Sequence, residues 1–221
     1  VYEEKTHRIL PVETCLIEDQ KADAIIATVR SLLKSFKIKV YDEDTGYGLL
    51  RYVLIRKAEF TDEIMVVLVT ASPVFPSKRN FVEALRREHP EITTVVQNVN
   101  DRTDSLVLGS KYQVLWGKGY IVDRLCGCSF KISPGSFYQV NPIQAQKLYE
   151  KAIELADLTG KETVVDAYCG TGTIGMIAAK KAGKVFGVES NPDAVRDAVG
   201  NAKANDVKNI RFYREDAGHF L

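Results

Sequence analysis

Residues 164–189 read VVDAYCGTGTIGMIAAKKAGKVFGVE. A short apolar run ends in a carboxylate, Asp166, and passes through a glycine-rich loop, Gly170-Thr171-Gly172, into a helical pattern that closes at Gly183. A second apolar run, Val185 to Val188, follows at once and ends in Glu189. The stretch therefore reads as strand, helix, strand, with an acid where each strand ends. In a doubly wound α/β sheet, that edge is where ligands sit.

Glycines let a ligand reach backbone N–H groups that a Cβ would shield. Gly170-x-Gly172-x-x-Gly175 matches the dinucleotide fingerprint, but Asp166 lies four residues before the first glycine, where its charge would oppose a pyrophosphate. A cationic ligand suits that carboxylate better. S-adenosylmethionine carries an ammonium and a sulfonium, and its ribose diol can be gripped by an acid at the position of Glu189. Asp216, just past a third apolar run at Ile210–Tyr213, is either an acceptor for an adenine amino group or a solvated turn acid.

Composition permits this reading. The chain has 221 residues, 45% hydrophobic and 27% charged, enough for two modest globular domains. Thirty basic and 29 acidic residues leave a net charge of +1, so any nucleic-acid surface has to be local. Cys15, Cys126, Cys128 and Cys169 are too few and too unevenly spaced for a disulfide framework, and no apolar run approaches the roughly 18 residues of a membrane span. With no legible signal peptide, the expected setting is reducing and cytoplasmic, with no membrane partner and a monomeric chain. The chain opens at Val1 rather than Met and stops at Leu221, one strand past the glycine unit, as a longer protein cut at both ends would.

Upstream, Ile25, Ile26, Val29, Leu32, Leu33 and Phe36 have helical spacing within Glu18–Phe36. Leu49–Phe60 and Ile64–Ala71 read as a hairpin, Pro76–His89 as a helix stopped by Pro90, and Ile92–Val99 as a strand. Short strands at Tyr112–Trp116, Tyr120–Val122 and Ser129–Ile132 complete an α+β domain over residues 1–132. Arg51, Tyr52, Arg56 and Lys57 lie on the first hairpin strand. They are the candidate RNA contacts, with a solvated strand face as the plainer alternative. Cys126-Gly127-Cys128 lacks the second pair a zinc site wants and is expected to pack on a strand. Ser133-Pro134-Gly135-Ser136 reads as the domain junction, followed by a helix capped at Asn141-Pro142 that carries Leu148, Ala152, Leu155 and Ala156 toward a core. Residues 133–221 would then be the front of an α/β domain.

Three stretches together resemble a known family: Ser136-Phe137-Tyr138-Gln139-Val140-Asn141-Pro142, the loop from Asp166 through Gly175, and Gly187-Val188-Glu189. They resemble the RNA (uracil-5-)-methyltransferases of the RumA and TrmA type, and the likeness extends upstream through Gly48–Tyr52 and Val96-Gln97-Asn98-Val99-Asn100. The resemblance implies a Rossmann-like class I S-adenosylmethionine-dependent methyltransferase domain, incomplete at its C-terminus, behind a smaller α+β domain. It also implies methylation of uridine C5 in RNA, in 23S ribosomal RNA in preference to transfer RNA.

Within this likeness Gln139, Tyr168 and Glu189 contact the cofactor, and Gln139 also lies near the target uracil. Asp166, Gly170, Gly172, Thr173 and Asp216 complete the expected cofactor set. The family adds a cysteine thiolate to uracil C6, so that C5 becomes nucleophilic, and later removes the C5 proton with a base. The motifs that hold that cysteine and base do not occur in these 221 residues, so the fragment itself is expected to be inactive. Cys169 sits where the family has a packing cysteine. Cys15 resembles the fourth ligand of an iron–sulfur cluster whose other ligands lie upstream in cluster-bearing members, so no metal is expected here. The competing readings are a methyltransferase of another substrate, a non-catalytic RNA-binding module and an NAD-dependent oxidoreductase.

Overall fold

The computed structural model describes residues 3–6, 10 and 12–220. The chain forms two compact units, Val1–Lys57 with Ile64–Gly117, and Ala58–Glu63 with Lys118–Leu221.

The first unit begins with α1 (Gln20–Ser35), whose N-cap Asp19 accepts a hydrogen bond from the Lys21 N–H at 2.8 Å. Ile25, Val29 and Leu33, spaced one helical turn apart, are its buried row. The sheet holds β1 (Leu50–Lys57), β2 (Ile64–Thr70), β3 (Ile92–Val99) and β4 (Lys111–Trp116) in that order; β2 and β3 are parallel and the outer pairs antiparallel. Joining β2 to β3 is α2 (Lys78–Glu88), which buries Phe81, Val82 and Leu85 and stops before Pro90. β2 is buried at every residue, as expected of a central strand made almost entirely of apolar side chains. β3 ends in buried amides instead. Asn98 binds the backbone of Gly109 and Lys111, and Asn100 binds Leu106 O and Val107 O, which fixes the 101–110 loop at the strand end.

The second unit starts with the hairpin of β5 (Ile121–Leu125) and β6 (Cys128–Ile132). Sequence places this hairpin in the 1–132 domain; the packing places it after a divide at Gly117/Lys118. Its ties explain why. Asp123, fully buried, accepts from the N–H groups of Glu59 and Phe60, and the backbone of β6 is bound by amides farther along the same unit. Cys126 and Gly127, at φ 48° and 71°, form the turn between β5 and β6, whereas the sequence reads them as strand. Ser133–Ser136 is likewise a tight turn inside this unit, closed by the Ser136 hydroxyl, rather than a junction.

α3 (Pro142–Leu155) follows, capped by the Asn141 carboxamide on the Gln144 N–H. Its buried face is Ala145 and Tyr149, with Ile153 packed beside them. Leu148 and Leu155, expected in the core, are 64% and 73% exposed. The row at i, i+4, i+8 wins because it meets α4 and the hairpin, and Leu148 lies a quarter-turn off it. Then come β7 (Thr163–Asp166), α4 (Thr173–Ala179), β8 (Lys184–Glu189), α5 (Pro192–Ala204), β9 (Ile210–Arg214) and the short α6 (Ala217–Phe220). The three strands form a parallel sheet in the order β7-β8-β9. Met176 and Ile177 from α4 and Ala202 from α5 pack with Val185 and Ile210 of the sheet.

Candidate functional site

Parallel pairing sets Asp166 opposite Gly187, so Asp166 and Glu189 stand at the same edge on neighbouring strands. Between β7 and α4 runs the glycine loop. Gly172 caps α4 at φ 82°, and a Cβ there would come within 2.9 Å of the Phe212 ring. Gly170, at φ 53°, meets nothing within 4 Å of its would-be Cβ, so that side of the loop is open.

The two carboxylates are held differently. Glu189 accepts from the Gly170 N–H at 3.1 Å through Oε2, and through Oε1 from the Asn191 N–H at 2.8 Å and the Ser190 hydroxyl at 3.3 Å, which anchors the group and leaves a lone pair on Oε2. Asp166 has one backbone partner, the Gly175 N–H at 2.9 Å. Burial, aided by the nearby charge of Glu189 and opposed by the Gly175 N–H, raises its pKa to about 6. A carboxylate so poorly solvated, beside an open glycine face, would be stabilised in its charged form by a cation. The buried Thr171 hydroxyl in the same loop has no hydrogen-bond partner among the described residues. The two strand-end acids and the open glycine face thus lie on the same edge of the sheet.

Tyr168 is 82% exposed at the head of the loop, where its ring is free to cover a ligand, and Thr173 is the first residue of α4. Gln139 is half-buried, and its side chain makes no hydrogen bond among the described residues. Asp216 caps α6, accepting from the Gly218 N–H at 2.8 Å, which gives it a local task of its own. Cys169 lies beneath the loop. Burial first, and then the charges of Asp166 and Glu189, push its thiol up to about 12, so a negligible fraction is thiolate near neutrality. The Tyr138 hydroxyl is buried without a hydrogen-bond partner among the described residues, and burial raises its pKa as well.

Arg51, Tyr52 and Lys57 of the hairpin are engaged by other residues of the first unit. Arg51, its side chain 3% exposed, donates through Nη1 to the carbonyls of Asn100 and Arg102 and lies over the rings of Tyr41 and Tyr52. Tyr52 donates its hydroxyl to Glu43, Arg56 has a buried Nε without a hydrogen-bond partner among the described residues, and Lys57 pairs with Asp19 at 2.7 Å. The structure does not bring the four together as one open basic face. Cys15 donates its backbone N–H to the Asp23 carboxylate at 2.9 Å, and no cluster of three His, Cys, Asp or Glu side chains suited to a metal occurs among the described residues.

Sequence reading missed Asn201 on α5 and Asn205, the residue that caps its C-terminus. Asn201 accepts from the Lys131 N–H at 2.7 Å and donates to Thr171 O at 3.2 Å, while Asn205 binds both backbone groups of Ser129. The signal was a polar row, Asp197, Asn201 and Asn205, running one turn apart beside the small apolar row Ala194, Ala198 and Ala202.

A family model described as a methyltransferase domain matches residues 158–221. The chain is 42% identical over 212 residues to a protein of Oceanobacillus iheyensis, and 43% identical over 216 residues to one of Halalkalibacterium halodurans. Both relatives are named uncharacterized RNA methyltransferases. The alignments cover 96% and 98% of this chain but 46% and 47% of those proteins, so the chain spans about half the length of the curated relatives it matches. Among solved structures it superposes, with a TM-score of 0.81 and 28% identity, on Pyrococcus abyssi tRNA (uracil-54, C5)-methyltransferase in complex with S-adenosyl-L-homocysteine, over 96% of this chain and 51% of that one. Among the described residues no helix is long and apolar enough to cross a membrane.

Proposed function

This mixed α/β chain carries a class I S-adenosylmethionine-dependent methyltransferase fold, and from that premise we propose that it is the substrate-side unit and cofactor-binding front of an RNA methyltransferase acting at uridine C5. The observation that carries the cofactor reading is the pair of strand-end acids. Asp166 is desolvated and short of partners, and Glu189 is anchored by two backbone N–H groups with acceptor capacity to spare. The likeness to a tRNA (uracil-54, C5)-methyltransferase supports the target atom, and the relatives named RNA methyltransferases support the polymer.

S-adenosylmethionine, when bound, supplies an electrophilic methyl group. This chain's part is to hold it: Asp166 by charge, Glu189 by charge-assisted hydrogen bonds to the diol, Gly170 by leaving room, and Tyr168 and Gln139 as walls. Cys169 is not the nucleophile for C6, because its buried thiol stays protonated. The nucleophile and base belong in this proposal to the whole protein, of which these residues make the cofactor half of the site.

Calorimetry on the full-length protein tests it. S-adenosylhomocysteine should bind more tightly than NAD, and Glu189→Ala should weaken it at least tenfold, about 1.4 kcal/mol. Tritiated methyl transfer into unmodified 23S ribosomal RNA and unmodified transfer RNA, followed by nucleoside analysis, then decides the polymer and the atom. Tighter NAD binding would end the cofactor reading, and label at any atom other than uridine C5 would end the assignment of the reaction.

A further inference from the structure

Asn201 is 1% exposed and sits on α5, outside the loop and outside the set of cofactor residues. Its carboxamide reaches two places at once. Oδ1 accepts from the Lys131 N–H of β6 at 2.7 Å, while Nδ2 donates to the Thr171 carbonyl in the middle of the glycine loop at 3.2 Å and lies 3.5 Å from Lys131 O. Thr171 is itself 2% exposed, so its carbonyl would lose a buried donor if the amide were removed. β6 ends at Ile132, and the chain reaches Gln139 only eight residues after Lys131. One side chain thus ties the loop that cradles the ligand to the strand that feeds the Phe137–Pro142 segment.

Asn205, one turn on, makes a similar pair of hydrogen bonds, accepting from the Ser129 N–H at 2.7 Å and donating to Ser129 O at 2.6 Å, with no hydrogen bond to the loop among the described residues. Asp197, one turn back, is 3% exposed and meets the Lys131 ammonium at 3.3 Å, so the row clamps β6 along its length. Only the middle residue extends the clamp to Thr171.

We propose that Asn201 is a positioning residue for the cofactor loop: it fixes the loop's peptide at Thr171, and with it the Gly170 and Gly172 amides, relative to the strand leading to Gln139. This inference rests on the cofactor reading above, but its first test does not. Asn205→Ala is the matched control, because it cuts the clamp to β6 and leaves the loop bond in place.

In amide hydrogen exchange on the 221-residue chain, Asn201→Ala should speed exchange of Gly170 and Gly172 at least tenfold, whereas Asn205→Ala should leave both within about threefold. In the full-length protein, S-adenosylhomocysteine affinity should follow the same split. Asn201→Asp, which keeps an acceptor for the Lys131 N–H and loses the donor to Thr171, should behave as Asn201→Ala does and gives a second reading if the alanine variant does not fold. Equal loop exchange in the Asn201 and Asn205 variants would overturn the proposal. A wild-type protein that binds no S-adenosylhomocysteine while its loop exchange still splits this way would leave Asn201 as the strut and remove the cofactor reading instead.

Discussion

The first strand of the four-stranded sheet and the open edge of the three-stranded one both carry charged side chains, and they use them in opposite ways. On β1, the guanidinium of Arg51 is buried against two carbonyls and two tyrosine rings, and Lys57 is joined to Asp19. On β7 and β8, Asp166 is held by a single N–H in a site that raises its pKa to about 6, and Glu189 keeps acceptor capacity facing the loop. Charge whose partners are already present stabilises its own unit. Charge held short of partners costs stability and is available to a ligand.

The largest effect expected from this contrast is on Arg51. Arg51→Ala removes two charge-assisted bonds to the carbonyls that end β3 and begin the 101–110 loop, and it leaves those carbonyls short of donors. Urea unfolding should show a loss of about 2–4 kcal/mol. Arg51→Lys should recover little of it, since an ammonium cannot replace the planar fork. A folded Arg51→Ala variant of unchanged stability, with weaker and less salt-dependent RNA binding, would reverse the comparison and make Arg51 an RNA contact.

A smaller effect, of opposite sign, is expected at Asp166. Its carboxyl binds its proton more tightly in the folded chain, with a pKa of about 6 against 3.8 for the free group. Its contribution is therefore fully present below about pH 4 and is lost as pH rises through 6. Above that, the charged form costs up to about 3 kcal/mol. Asp166→Asn keeps an acceptor for the Gly175 N–H and removes the charge, so the ligand-free protein should gain about 2 kcal/mol at pH 8 and almost nothing at pH 4, while binding S-adenosylhomocysteine less well. Thermal unfolding across that range checks the sign. A variant that is destabilised at pH 8 would show that the carboxylate is satisfied without a ligand.

The strand-end acids were legible in sequence because strand, loop and helix are local patterns, and a parallel connection puts the ends of neighbouring strands together. Side-chain partners were not legible in the same way. Arg51 and its acceptor Asn100 are 49 residues apart, and composition alone does not distinguish a buried arginine from an exposed one. The hairpin of β5 and β6 followed the same rule: its allegiance to the second unit rests on Asn201 and Asn205, 70 and 76 residues downstream of the groups they bind. The helix α3 failed for a different reason. Leu148 and Leu155 have the better hydrophobicity, but the face set by Ala145, Tyr149 and Ile153 is the one its neighbours meet.

The smallest expected effect is at Lys57, where the comparison can be sharpened. Its ammonium lies 2.7 Å from Asp19 Oδ2, and the same carboxylate caps α1 through the Lys21 N–H. Burial raises the Asp19 pKa, but the Lys57 bond and the Lys21 N–H outweigh it, so the net shift is downward. The stability this provides is therefore present above the free value of 3.8 and is lost as pH falls through the folded value. Both side chains are partly exposed, so Lys57→Ala should cost no more than about 1 kcal/mol at pH 7, and the difference from wild type should close toward pH 3. In RNA binding, each lost phosphate contact flattens log K against log salt by about 0.7–0.9. With Lys57 tied to Asp19, the slope should not change. A slope reduced by that amount, with the stability difference absent at pH 7, would mean that Lys57 leaves Asp19 for a phosphate, and the β1 hairpin would then be part of the RNA surface.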